Sequence, residues 1–417
     1  MKKNILIIGL LSILSSCIND IARLDVTYTR ATAIYADLDE IRNTPLVSTS
    51  KEISNPGKIF VSETLLLVGE EGEGIHIIDN TDPELPRPKF FINVPGNREF
   101  FVSEGKLFAE SYYDMLMIDI TNIDQPVLLS RVQEAFGPEL KNNLGESIIG
   151  FETREVTESL SKDDDLYDIV HSANTLYYDF ENRLIPESAV PASFAGSSDT
   201  AIGTVNRIAA NDGHVYVVSK HILTTFRIDD GLELVNSQQI GWNMETVFPH
   251  NGNLFVGTQN SMEVLSLANP EQPSHLTSFF HANSCDPVYP VENTAYVTLR
   301  TGDIGQCPGD INALLVLDIS TIANPVQMQE LPMESAFGMT MIGNLLFVGE
   351  GAHGLKVFDA TNRHNLLLEK WDETISAYDI IPHPTRQDIV LIAGPDGLSQ
   401  YGLGTDTALS HLSTVFF

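Results

Sequence analysis

A short apolar run ending in aspartate recurs along the chain, and no other feature restricts the fold as much. It reads Gly74-Ile-His-Ile-Ile-Asp79, Met115-Leu-Met-Ile-Asp119, Ala313-Leu-Leu-Val-Leu-Asp318 and Gly354-Leu-Lys-Val-Phe-Asp359. Weaker copies are Leu223-Thr-Thr-Phe-Arg-Ile-Asp229, Met262-Glu-Val-Leu-Ser266 and Gly397-Leu-Ser-Gln-Tyr-Gly402. A polar stretch with Asn and Pro follows, as in Asn80-Thr-Asp-Pro83, and then another apolar strand. Upstream of each copy lies a strand pair, for example Ala209-Ala-Asn-Asp-Gly-His-Val-Tyr-Val-Val218 and Met339-Thr-Met-Ile-Gly-Asn-Leu-Leu-Phe-Val348. Asn-Asp-Gly and Ile-Gly-Asn supply the positive φ that a tight hairpin requires. Each unit is therefore four short strands, repeating about every 40 residues where nothing is inserted. A single four-stranded sheet cannot cover both of its faces, so such units stack around an axis as propeller blades.

Repeats begin near Gly57, Asn97, Thr204, Asn243, Cys285, Ser335 and Ser376. That predicts an all-β protein, a β-propeller of about seven four-stranded blades over residues 45–417. Pro45-Leu-Val-Ser-Thr-Ser-Lys-Glu-Ile53 resembles the last strand of a blade and is expected to pair with the C-terminal repeat, leaving no open edge. From about residue 135 to 203 the blade pattern is absent. Within this insertion Ser147–Val156 is expected to form an extra strand or hairpin, and Asp163-Asp164-Asp165 a loop.

The first residues carry an address. Lys2 and Lys3 precede an apolar run, Ile5 to Leu14, too short to span a bilayer, and Leu14-Ser15-Ser16-Cys17 follows it. Small residues before the cut and cysteine after it make a lipobox, since the thiol must carry the diacylglyceryl group. Residues 1–16 then read as a lipoprotein signal peptide, Cys17 as the lipidated residue and 17–44 as a tether. A plain secretory signal and a buried N-terminal helix are the other readings. Acyl chains contribute about 0.8 kcal/mol per buried CH2, so more than one holds a protein durably on a membrane. No Asp directly follows Cys17, which points to the outer membrane, on either face. Cys285 and Cys307 remain, either paired in an oxidising compartment or separate. Two cysteines do not make a zinc site.

Charge narrows the partners. The chain has 24 Lys and Arg against 56 Asp and Glu, a formal net charge of −32. Such a surface repels phosphate backbones, which excludes nucleic acid.

Catalytic motifs are missing: there is no Gly-x-Ser-x-Gly elbow, no His-Glu-x-x-His and no phosphate-binding glycine loop. Glu70-Glu71-Gly72-Glu73-Gly74 lacks the oxygen spacing of a calcium loop and reads as a turn. His250 and His383 occupy similar places after the first strands of their blades and read as turn residues. The most suggestive set lies at the starts of first strands: Glu245, Asp286 and Asp379, with Arg98 in another blade. First strands line a propeller channel, so these would converge at one mouth and hold a divalent cation or a polar ligand. Alternatively they cap strand ends. No cofactor is required by anything in the sequence. Arg300, with the long loop that follows it to Asn312, is a second candidate contact.

These residues together resemble a known family. The apolar runs ending in Asp, followed by Ser or Thr and Asn-Pro, look like LVIVD-repeat proteins, especially the lipid-anchored ones of Gram-negative bacteria. Asn55-Pro-Gly-Lys-Ile-Phe-Val61, Cys285-Asp-Pro-Val288 and Ala295-Tyr-Val-Thr-Leu-Arg300 carry the likeness most specifically, and it runs from about Pro45 to the C-terminus. The resemblance implies a propeller, a periplasmic or surface placement and a Cys285–Cys307 disulfide. It implies no activity. The expected function is a non-enzymatic binding or scaffold module for a protein or glycan at the envelope; the alternative is a metal-dependent hydrolase using the channel-mouth carboxylates.

Overall fold

The computed structural model describes residues 23–172, 175–179, 181, 183–185, 208–219, 222–240, 244–258, 260–281, 288–301 and 311–417. They fall into two units. The smaller, drawn from residues 1–34 and 150–189, is a four-stranded sheet in the order Ser147–Ser161, Arg23–Ala36, Thr175–Tyr178, Leu184–Ile185. Helix Asp165–Ser172 belongs to it. Tyr28, Leu160, Val170, Leu176 and Tyr178 form its core, and the Arg30 guanidinium lies 4.0 Å from the Tyr178 ring centroid. Two readings change here. Half of the segment read as a tether is a strand, Arg23–Ala36, paired in parallel with the insertion through Thr29 and Thr175. Asp165, read as loop, begins a helix.

The larger unit, residues 35–149 and 190–417, holds seven sheets. Their first strands are Pro56–Val61, Phe100–Ser103, Ile208–Asn211, Met244–His250, Val288–Val291, Met339–Ile342 and Asp379–Pro382. Each sheet contains an antiparallel meander of four strands, so the seven repeats read from the sequence are seven blades. Two-residue hairpins join first and second strands with both residues at positive φ: Glu104-Gly105 (50° and 71°), Asp212-Gly213 (48° and 74°) and Asn251-Gly252 (47° and 72°). These are the turns whose twist matches that of the flanking strands.

The apolar runs ending in Asp are the third strands, and burial explains their composition. Gly74–Asp79, Asp114–Asp119 and Ala313–Asp318 are buried at every position but the last. A strand covered on both faces reads as a continuous apolar run rather than an alternating one. The terminal Asp ends the strand chemically. Asp79, Asp119, Asp318 and Asp359 accept the backbone N–H two residues on, from Thr81, Thr121, Ser320 and Thr361, at 2.8 to 3.0 Å. Hydrogen bonds from the amides and hydroxyls of those residues hold all four carboxyls below their ordinary value. The recurring Asp is thus an Asx turn.

Third strands begin where the chain passes closely over the fourth. Gly74 and Gly397 have φ of 149° and 141°, and a Cβ would lie 2.1 Å from the carbonyl oxygens of Ile92 and Val415. All seven blades also share a register shift between third and fourth strands, at Ile77/Ile78, Leu128/Ser130, Thr225/Phe226, Val264/Leu265, Val316/Leu317, Val357/Phe358 and Gln400/Tyr401. One extra residue there strengthens the local twist and disrupts the ladder beside the open edge.

Seven apolar clusters, one per seam, hold the blades together. The last joins Ile59, Val61, Leu66, Val68 and Ile78 of blade one to Ile389, Leu391, Ala393 and Leu398 of blade seven, and so closes the ring. Polar side chains tie blades to the next connection: Tyr216 Oη to Pro270 O at 3.1 Å, Tyr296 Oη to Arg363 O at 3.2 Å, and Gln400 Nε2 to Pro83 O at 3.1 Å.

The closing strand is not where the sequence reading put it. Val47–Thr49 adds to the outer edge of blade one as a fifth strand, with Val47 opposite Ile92, instead of completing blade seven. Blade seven has four strands of its own, ending in Leu409–Phe416, so it needs no borrowed one. Ser48 Oγ and Asn93 meet at 3.1 Å, and Asn93 Nδ2 donates to Pro45 O at 2.7 Å. Just before this strand, Arg42 of helix Leu38–Arg42 pairs with buried Asp114 at 2.9 Å and with Glu139 at 2.6 Å. Burial pushes the Glu139 carboxyl up, but hydrogen bonds from Lys141, Arg42 and Ser147 outweigh it and hold it at about 2.

Two outcomes follow. Leu391→Ala, in the closing seam, is expected to cost about 2–5 kcal/mol in urea unfolding. Removal of the exposed Val47–Thr49 pairing by Ser48→Pro should cost clearly less; the reverse order would show that strand addition closes the ring. Glu139 and the four turn aspartates all have folded pKa values below their ordinary 4.5 and 3.8. The stabilisation from Glu139 is therefore complete above about pH 4.5 and is lost as pH falls toward about 2, and that from the aspartates is lost in the same direction as the solution is acidified. Glu139→Gln should flatten that part of the stability–pH curve relative to wild type.

Candidate functional site at the inner strands

First strands of successive blades touch one another at five of the seven seams, so they are the innermost strands and their starts define one end of the channel. The structure places the sequence candidates as follows. Asp379 opens the first strand of blade seven and is only 5 % exposed. Its carboxylate lies against Gly338, where a Cβ would fall 2.3 Å from Oδ1, and it accepts the Ile380 N–H at 2.9 Å. Glu245 is half-buried at the register shift between Met244 and Thr246 in blade four. Arg98 is half-buried, just ahead of Phe100 in blade two, and its charge is felt by the Tyr112 phenol, whose pKa burial raises. Asp286, Cys285, Cys307 and Cys17 lie outside the described residues. Among the described residues no three His, Cys, Asp or Glu side chains gather as a metal site.

Arg300 follows the second strand of blade five and its guanidinium lies 4.3 Å from the Phe337 ring centroid. Phe337 meets Tyr378 edge-on at 4.9 Å, so three successive blades are linked at this end by a cation–π contact and an aromatic pair. Gly351 makes room: a Cβ there would lie 2.5 Å from the Phe337 ring.

The histidines behave as turn residues. His250 Nε2 lies 2.7 Å from Glu292 O. His383 accepts the amides of Thr385 and Arg386, and burial together with the Arg386 charge lowers its pKa.

Sequence reasoning missed two buried carboxylates, one ending a second strand and one just after it. Glu70 is 1 % exposed and Glu350 is fully buried. Glu70 accepts the amides of Ser54 and Asn55 and the Ser54 hydroxyl, and sits 2.9 Å from His76 Nε2. Burial pushes its carboxyl up, and these hydrogen bonds more than reverse the effect. Glu350 accepts the amides of Glu334 and Ser335 and pairs with Lys356 at 2.5 Å. In both blades a carboxylate collects the amides of the segment entering the blade. The acidic Glu70–Glu73 stretch is a turn, as read, but its first residue points inward. The only sequence signal was the repeated place of Glu at the end of a Leu-Leu-x-Val-Gly run.

No family model matches the sequence, and no curated protein matches it. Solved structures do. A protein from Lactobacillus plantarum superposes with a TM-score of 0.54 at 12 % identity, over 94 % of this chain and 97 % of that one. The Pseudomonas aeruginosa periplasmic gluconolactonase gives 0.54 at 12 % identity, over 85 % and 96 %. The Neurospora crassa Pan2 WD40 domain gives 0.50 at 9 % identity, over 89 % and 92 %. The likeness is one of fold. The chain is similar to β-propellers throughout, and at these identities nothing about a reaction carries across.

Gly338→Ala should destabilise the protein by about 1–3 kcal/mol through the clash with Asp379. Asp379→Ala should restore part of that loss in the double variant. Additive effects would mean that the Asp379 carboxylate is not packed against blade six.

Proposed function

We propose that the protein is a lipid-anchored propeller of the LVIVD-repeat kind that serves as a binding or scaffold module for a protein partner at the cell envelope. The observation that carries this reading is the apolar character of the outer strands. Val127 and Leu129 in blade two, Val326 and Met328 in blade five, and Leu367 and Leu368 in blade six are all exposed, Leu367 by 58 % and Leu368 by 53 %. On a chain of net charge −32, exposed apolar strands in consecutive blades five and six favour a protein surface over a glycan. Outside blade one, whose edge Val47–Thr49 already covers, the register shift in each outer strand favours docking through side chains over strand addition. Surrounding acidity suits a partner with basic residues around an apolar patch, and an association that weakens with salt.

Anchoring through Cys17 rests on the Leu14-Ser15-Ser16-Cys17 motif. Since the strand Arg23–Ala36 begins six residues later, it can start no further than about 20 Å from the lipidated residue. Pairing of Cys285 with Cys307 belongs to the same reading and predicts no reactive thiol in unfolded, unreduced mature protein.

Cys17→Ala should release the protein from the membrane fraction. A photo-crosslinker at Leu368 in living cells should capture one discrete protein, and the same group at Lys106 should not. Persistent membrane association of Cys17→Ala would overturn the anchor. Equal labelling from the two positions would overturn the docking surface.

A further inference from the structure

A cavity of about 730 Å³ lies between the outer parts of blades one and seven. Ile78, Pro86, Phe90, Val415, Phe416 and Phe417 supply most of its apolar wall, and Lys51, Glu52 and His76 its charged and titratable groups. Lys51 and His76 are grouped about one ring. The Lys51 ammonium is 4.0 Å from the centroid of Phe91, and the His76 ring meets Phe91 edge-on at 4.8 Å. A concave apolar space of this size with a few convergent polar groups has the make-up of a small-molecule site.

The chemistry of its polar end selects the ligand. His76 is 3 % exposed, and its partner is the Glu70 carboxylate at Nε2. A carboxylate only accepts hydrogen bonds, so Nε2 carries the hydrogen, and in the neutral ring Nδ1 presents a lone pair. Among the described residues Nδ1 has no protein partner. The Lys51 ammonium already pairs with Glu73, the Glu70 carboxylate sits on His76, and Glu52 is a further carboxylate in the wall. That balance disfavours an anionic head group. What remains is a neutral hydrogen-bond donor, attached to a body that suits a wall rich in phenylalanine and proline.

We propose that this cavity binds a small neutral hydrophobe bearing one hydroxyl group, a phenol or hydroxylated aromatic, whose O–H donates to His76 Nδ1. The site is separate from the outer-strand surface argued above and does not depend on it. Glu70 does not touch the ligand; it positions His76 by fixing which ring nitrogen is free.

The test uses three probes of one shape against the folded protein at neutral pH: 2-naphthol, naphthalene and 2-naphthoate. Calorimetric or fluorescence titration should show one saturable site, with 2-naphthol bound about five- to tenfold more tightly than naphthalene and 2-naphthoate the weakest. Pro88→Trp, at an exposed position on the wall, should abolish binding of all three without loss of the cooperative unfolding transition. His76→Phe combined with Glu70→Gln removes the acceptor without stranding a buried charge, and should level 2-naphthol with naphthalene. Should that double variant fail to fold, the order of the three probes and the Pro88→Trp result still decide. Absence of saturable binding, equal affinity for 2-naphthol and naphthalene, or binding undiminished in Pro88→Trp would each overturn the proposal.

Discussion

Each blade of this protein has two apolar faces, and the ring exists because neither can be left in water. The clusters at the seven seams are made of side chains from both neighbours, so no blade has a core of its own. Burial of apolar area contributes about 25 cal/mol per Å², and an open chain of blades would expose one face at each end. Closing Ile59, Leu66 and Val68 against Ile389, Leu391 and Leu398 removes both at once. The rest of the architecture serves that requirement: tight hairpins keep strands short, glycines let third strands pass under fourth strands, and a shared register shift keeps the twist constant from blade to blade.

Polar groups at the seams follow from the same packing. A chain that enters each blade across a buried edge brings amides that need acceptors, and an unsatisfied buried amide costs about 1–3 kcal/mol. Glu70 and Glu350 meet that need in blades one and six, and each also meets a side chain of the third strand, His76 or Lys356. Asp114 does similar work in blade two, accepting from Arg42, Arg131 and the Glu134 amide.

Much of this was legible in the chain. A third strand buried on both faces must be apolar at nearly every position, and an Asx turn needs Asp at a fixed place, so the motif and the count of seven could be read directly. Two-residue hairpins likewise announce themselves through Gly and Asn. The candidate site was legible only in part. Equivalence of Arg98, Glu245 and Asp379 along the repeats says that they start inner strands, but not that Asp379 turns into the seam against Gly338. Nothing local distinguishes a carboxylate facing the channel from one facing a neighbouring blade, since both directions are open to the first residue of a strand.

The sequence by itself determined the blade: its strands, turns, terminal aspartates and number of copies, because those depend on interactions between residues close in the chain. Tertiary structure alone decided where the unrepeated segments go. Val47–Thr49 could have added to either terminal blade; Asn93, reaching back to Pro45 and Ser48, favours blade one. Arg23–Ala36 has no neighbour that marks it as a strand, and its partner lies more than a hundred residues away at Thr175–Tyr178. The cavity beside His76 is of the same kind. It forms where residues from the first blade and the last meet, and separation along the chain hides such a meeting from any local pattern.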